Sequence, residues 1–236
     1  MMYRHLDSEK IVNTLEILSR RIQERFPGLG ISNVVNELLK TGQEAKERCR
    51  WVTQPLWPLR ILIWFLVGLI AISFILGILK LNLKNNPLTF AEFIQVLESG
   101  INDIIFLGIG VFFLVTLETR IKRKRVLSLL HELRAMAHVI DMHQLTKDPE
   151  TLLETYQQTK SSPQRTMTAF ELQRYLDYCS EMLSMIGKIA ALYVQDFDDT
   201  EVVDVVNEIE SLTSGLSRKI WQKIISLQSL HPSKGG

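Results

Sequence analysis

One stretch restricts this chain more than any other: residues 61–79 read ILIWFLVGLIAISFILGIL, nineteen residues without a charge. As a helix rising ~1.5 Å per residue it reaches ~28 Å, close to the ~30 Å hydrocarbon core of a bilayer. Arg60 and Lys80 bracket it, and Trp57 and Trp64 sit where amphipathic rings favour the interface. The residues predict a transmembrane helix. The run begins too far along the chain for a cleavable secretory signal, so the span is expected to act as its own insertion signal.

A second apolar run, IIFLGIGVFFLVTL, covers residues 104–117. Alone it reaches only ~21 Å, a length at which a buried helix of a soluble core is the plain alternative. Ile101 lengthens it if Asn102 and Asp103 lie at the outer interface, and a basic cluster follows it directly. The expectation is therefore a second span over about 101–118.

Lysine and arginine orient the pair. Arg120, Lys122, Arg123, Lys124 and Arg125 follow the second run, and Lys46, Arg48, Arg50 and Arg60 precede the first. The connecting loop, 80–100, offers only Lys80 and Lys84. The positive-inside rule then places both flanks in the cytoplasm and the loop outside. Three parts result: N-terminal cytoplasmic helices over 1–56, a transmembrane hairpin over 57–119 and a C-terminal cytoplasmic helical bundle over 120–236. Within the loop, Thr89 and Glu92 form a capping-box pattern ahead of Phe93, Ile94 and Leu97, which fits a small amphipathic helix on the outer leaflet.

The flanks read as helices. Asp7 and Ser8 offer an N-cap for a stripe of Ile11, Leu15, Leu18 and Ile22. The run Phe26 to Gly30 breaks it, and Ser32 is a cap candidate for a second helix toward Trp51, with residues 43–50 read as solvated. Beyond the second span no breaker appears until Pro149, so that helix is expected to continue through Val126, Leu130, Leu133 and Ala137 to about Leu145. Pro149 opens a new short helix, Thr168 and Glu171 a capping box for a long one, and residues 196–200 an acidic turn before a last helix over about 201–230. No segment alternates with period two. The fold class is all-α, with coiled-coil-like antiparallel packing in the cytoplasm favoured by the short connections.

Net charge is +1, which supplies no field for nucleic acid, and none is expected as a partner. Cys49 and Cys179 lie far apart and read as packing residues or inert thiols. No glycine-rich phosphate loop, G-x-S-x-G or H-E-x-x-H occurs. Catalysis and a cofactor are therefore not expected. One polar constellation has the residue types of a metal site: His131, His138 and Asp141 share a helix face, and Asp177 and Glu181 are an i,i+4 carboxylate pair on another helix. The Glu-x-x-His pair typical of di-iron bundles is missing, and the alternative is ordinary solvated charge. Glu201, Asp204 and Glu208 make a further acidic row. The acidic turn lacks the central glycine of a calcium loop and reads as charge for the next helix's N-terminus.

Three features concern the membrane itself. Asp103, with Asn102, is a pore or ion-ligand candidate, although its place near the outer end lets it reach water. Arg120, Lys122, Arg123, Lys124 and Arg125 are candidates for anionic headgroups, each worth on the order of 1 kcal/mol near the leaflet. Gly68, Ala71, Ser73, Gly77, Gly108 and Gly110 permit close helix contact.

The layout of helices, a two-span hairpin and further helices is similar to that of SLATT-type two-transmembrane effectors of bacterial defence systems, in arrangement only. The leading expectation is a non-enzymatic integral membrane protein, a homo-oligomer, whose cytoplasmic helices engage a protein partner in scaffolding or regulation. The membrane is a bacterial plasma membrane or that of an organelle. The alternative is an oligomeric channel or pore-forming effector, and the third reading a metal-dependent enzyme in the bundle.

Overall fold

Residues buried every three or four positions recur along five helical stretches, and a computed structural model shows what those stripes become. It describes residues 5–82, 89–152, 159–162, 167–195 and 197–230, without side chains at 50–53, 73–74, 77–82, 92, 96, 115 and 230. Every regular element among the described residues is helical: α1 (Ser8–Arg25), α2 (Gly30–Thr53), α3 (Trp57–Asn82), α4 (Phe90–Leu145), a 3-10 turn (Pro149–Leu152), α5 (Ala169–Val194) and α6 (Thr200–Leu230). The all-α class holds. The chain divides into two units, 1–53 with 125–236 and 54–124.

The first unit is a bundle built around α5, thirteen residues of which are buried, from Leu172 to Tyr193. Each neighbour contributes one stripe: Ile11, Leu15, Leu18 and Ile22 from α1, Ile31, Val35, Leu38 and Ala45 from α2, Val126, Leu130, Leu133, Ala137 and Ile140 from α4, and Val202, Val206, Ile209, Leu216 and Ile220 from α6. Spacings of three and four keep these residues on one helix face. A short turn joins α5 to α6, which makes them antiparallel neighbours as expected.

Caps mark the helix starts. Asp7 Oδ1 accepts from the Glu9 and Lys10 N–H groups at 2.9 and 3.3 Å. The Thr168–Glu171 capping box is present, and Asp199 Oδ1 accepts from the Val202 N–H at 3.3 Å, which is the use foreseen for the acidic turn. Ser32 departs from expectation: α2 begins at Gly30, and the Ser32 hydroxyl donates to the Phe26 carbonyl at 2.7 Å across the turn. Nor is the later half of α2 wholly solvated. Ala45 is buried, and Gly42 lies so close to α1 that a Cβ there would come 2.6 Å from Leu15 Cδ1. The short helix expected at Pro149 is a four-residue 3-10 turn.

The second unit holds α3 and the first part of α4. The small surface helix expected around 89–97 is not separate, because α4 runs unbroken for 56 residues through Gly100, Asn102 and Asp103. No proline falls inside it, and single polar residues or glycines weaken a helix without ending it. Among the described residues one helical stretch, Phe93–Leu152, is long and apolar enough to cross a membrane by length and composition. Trp57–Ile72 is a shorter apolar helix.

Candidate functional site

The second unit turns its largest side chains outward. On α3, Trp64 is 75% exposed, and Ile61, Phe65, Leu69, Ile72 and Leu76 are exposed with it; on α4, Phe106 and Phe112 are each 73% exposed, beside Ile104, Ile109 and Phe113. Water disfavours such a surface at roughly 25 cal/mol per Å² of apolar area, and exposed apolar patches beyond a few hundred Å² mark sites of interaction. The less exposed residues of α4 form a stripe, Gly100, Asp103, Leu107, Gly110 and Leu114, and those of α3 another, Leu59, Ile63, Leu66 and Ile70. Asp103 therefore belongs to the sheltered face, whereas Asn102 is exposed.

The basic end of this surface is more ordered than a run of charges suggests. Glu118 Oε1 accepts from the Leu56 N–H at 3.3 Å and from Lys122 Nζ at 3.0 Å. Its carboxylate thus caps the start of α3 from α4 and neutralises Lys122, whose side chain is only 11% exposed. Of the five headgroup candidates, Arg120, Lys124 and Arg125 are exposed, Arg123 is half-buried, and Lys122 is committed to Glu118. The expected glycine contacts are open as well: a Cβ at Gly68, Gly108 or Gly110 would meet nothing within 4 Å. Ala71 is exposed, and the side chains of residues 73 and 77 lie outside those described.

The metal candidates are not gathered. His131 and His138 are both exposed, off the buried stripe of α4. Asp141 accepts from Gln144 Nε2 at 2.7 Å. Asp177 pairs with Arg174, and Glu181 with Arg21, both at 3.0 Å. Glu208 of the acidic row pairs with Arg134. Among the described residues no group of three His, Cys, Asp or Glu side chains could hold a metal ion. Neither cysteine is in a disulfide, and burial pushes Cys179 up to about 12, partly opposed by Lys223 and Lys147. A thiol so buried and so rarely ionised is a packing group.

Two arrangements in the bundle have no sequence signal, because their parts are far apart along the chain. Lys223 Nζ donates to the carbonyls of Gln144 at 2.9 Å and Lys147 at 3.4 Å, capping the end of α4 from α6. Burial holds its ammonium below the usual lysine range, while Asp148 and Asp141 oppose that shift. Between α1 and α5, a 590 Å³ cleft is lined by Arg21, Arg25 and Arg174. Arg21 and Arg174 lie 5.3 and 5.2 Å from the Tyr178 ring centre, and Arg25 lies 5.4 Å from that of Phe170. Glu24 and Glu171 also line this cleft, and Asp177 and Glu181 neutralise two of the guanidiniums, so it carries no surplus of positive charge.

Comparison with family models, with curated proteins and with solved structures finds no match to this chain.

Proposed function

We propose that the chain is a two-pass integral membrane protein whose helical bundle is a cytoplasmic interaction or regulatory module, assembled as a homo-oligomer and not an enzyme. The observation that carries this reading lies along α4. From Ile104 to Phe113 its exposed side chains are all Ile and Phe (Ile104, Ile105, Phe106, Ile109, Phe112 and Phe113). From Arg120 to His138 the large exposed ones are Arg120, Lys124, Arg125, His131, Glu132 and His138, with apolar Val139, Met142 and Leu145 exposed only at its far end. One helix thus meets two solvents, and the change falls at Glu118–Arg125, where the positive-inside rule puts the cytoplasmic face. The other span is α3, whose 26 helical residues begin at the same charged collar through the Leu56–Glu118 hydrogen bond. The bundle is a packed core of single stripes from several helices, which leaves the outer helix faces as the surfaces through which it would bind.

The topology is tested by single cysteines in a Cys49→Ala/Cys179→Ala background, labelled in intact cells or right-side-out vesicles. A cysteine at position 90 is expected to react with an impermeant maleimide, and one at position 10 or 204 only after lysis. Labelling of all three from the same side excludes two passes. The interaction reading is tested by detergent-corrected light scattering and crosslinking: strictly monomeric protein that retrieves no partner sinks it.

A second reading, an oligomeric channel, draws on Asp103, an acid on the sheltered face of α4 within an otherwise uncharged stretch from 99 to 117. Two spans per chain enclose no pathway, so it requires a closed ring of several subunits. Conductance in liposomes that changes in Asp103→Asn supports it, and silent bilayers with the purified oligomer dispose of it.

A further inference from the structure

We propose that the bundle binds a single-chain anionic amphiphile, with the carboxylate or phosphate at Lys147 and the aliphatic chain in the cavity beside it. The inference stands on the first unit alone, whatever the apolar helices meet.

The cavity has a volume of 400 Å³ and lies where the start of α2, the end of α4 and the start of α5 come together. That is the lower end of the ~300–1,000 Å³ of small-molecule sites, which suits one short chain and not a two-chain lipid. Its walls are apolar, with Leu29, Val139, Met142 and Met167 among them. Three of these are large side chains left partly in water at the mouth, with Met142 68% exposed, Val139 41% and Leu29 39%. Methionine and branched aliphatic walls adapt to a flexible chain and supply no hydrogen bonds to hold water.

Among the described residues the basic groups at the cavity have no carboxylate partner. Lys147 Nζ stands 5.6 Å from the Tyr175 ring centre and makes no ion pair among the described residues. Two acids near it in sequence are engaged elsewhere: Asp141 accepts from Gln144, and Asp148 accepts at the 3-10 turn, where it also faces Lys223; Glu150 is exposed and does not line the cavity. Among the described residues no Asp or Glu lines the cavity. The second basic group is His143, and its place depends on Gly30. A Cβ on Gly30 would fall 2.5 Å from His143 Cε1, so the imidazole rests against the first residue of α2 only because that residue is glycine. An open, largely apolar groove with one ammonium and one imidazole beside the Thr146 hydroxyl, and no Asp or Glu among its described lining residues, is complementary to an amphiphile of negative head and aliphatic tail. A neutral chain of the same length would leave Lys147 unused.

The test is isothermal titration of the full chain in maltoside micelles, with chain-free micelles as the reference. Decanoate is expected to bind saturably at one site, and decanol at least ten-fold more weakly. Lys147→Gln, at a residue whose side chain touches the Tyr175 ring and whose backbone bonds a substitution leaves in place, should weaken decanoate at least ten-fold and leave decanol nearly unchanged. Met142→Glu, at an exposed position that tolerates a polar side chain, puts a carboxylate at the mouth and should abolish decanoate binding. Lysophosphatidate that displaces decanoate identifies a membrane-derived ligand, and decanoate binding without that competition identifies a free acid. No saturable heat above the reference, decanol binding as tightly as decanoate, or unchanged decanoate affinity in both variants overturns the proposal.

Discussion

Glycine to alanine inside a helix is a probe of packing, because the backbone term is nearly constant while the space around the new methyl is not. Alanine is favoured over glycine in a helix interior by up to ~1 kcal/mol. At Gly215, on α6, a Cβ meets nothing within 4 Å, so Gly215→Ala should stabilise the bundle by about 0.5–1 kcal/mol. At Gly42, on α2, the methyl would come 2.6 Å from Leu15 Cδ1 and 3.7 Å from Ile189 Cδ1. Leu15 is completely buried and cannot swing into water to make room. Overpacking of this kind costs about 1–3 kcal/mol, which equals or exceeds the helix gain. The two variants should therefore differ by roughly 1–3 kcal/mol, or about 2–10 °C in Tm for a unit of this size. Leu15→Ala alone should cost about 2–5 kcal/mol, and adding Gly42→Ala to it should restore part of that loss by filling the vacated volume. Far-ultraviolet circular dichroism of the full chain during thermal unfolding reads all four proteins. Gly42→Ala melting as high as Gly215→Ala, or no coupling with Leu15→Ala, would refute the close approach of α1 and α2.

Three further outcomes follow from particular contacts. The Cys179 thiol, raised by burial from 9.0 to about 12, stabilises the fold fully below 9.0 and loses that contribution as pH rises through about 12, because the unfolded thiol ionises first. Tyr175 and Tyr193, also raised chiefly by burial, lose theirs with the same sign, so the unfolding midpoint should fall across this alkaline window, and a flat profile would contradict it. Glu118→Ala leaves the Lys122 ammonium largely buried without its partner and should cost about 3 kcal/mol, most of it recovered in Glu118→Ala/Lys122→Met; equal melting of the two variants would show that the pair is effectively solvated. Thr168→Ala removes the hydroxyl that accepts from the Glu171 N–H and should cost about 1 kcal/mol, whereas Thr168→Ser should not; hydrogen exchange at the first turn of α5 distinguishes the two.

The stripes of α1 and of the later part of α4 were legible because large aliphatic residues at spacings of three and four have few other uses in a polar segment. The Thr168–Glu171 box was legible for a similar reason, since both halves of the motif are local. What was misread followed from weaker patterns. Gly42, Ala45 and Cys49 continue the α2 stripe, yet small residues among charges resemble a solvated face until Leu15 is seen lying against Gly42. Ser32 looked like a cap because the sequence shows the residue and not the turn, in which the Phe26 carbonyl already stands within reach of its hydroxyl. The metal constellation failed on the same ground from the other side. His131 and His138 do share a face, but it points away from the α4 core stripe, and Asp177 and Glu181 were already matched with arginines. The amphiphile cavity joins residue 29 to residue 175, and no local pattern announces a meeting at that separation.

The charges on α4 are sorted by depth in a way that bears on the membrane reading. Glu98 and Glu118 are twenty residues apart, and at ~1.5 Å per residue their separation is ~30 Å, the thickness of the hydrocarbon core. Between them only Asp103 is ionisable. Five residues inside Glu98, it would lie ~7.5 Å below that boundary, where an acid costs less than the ~2.5–3.5 kcal/mol of the bilayer centre. Its helix face reduces the cost further. Asp103 shares the sheltered stripe with Leu107 and Leu114, while Ile104, Ile105 and Phe106 hold the exposed positions. An acid tolerated only as a surface remnant has no reason to follow that stripe, since the exposed face near the outer boundary is equally close to headgroup water. Its placement separates two roles for the hairpin. A purely anchoring hairpin tolerates Asp103→Leu with a gain in insertion, whereas a hairpin that holds water or an ion along the α4 seam loses function in Asp103→Leu while its insertion improves.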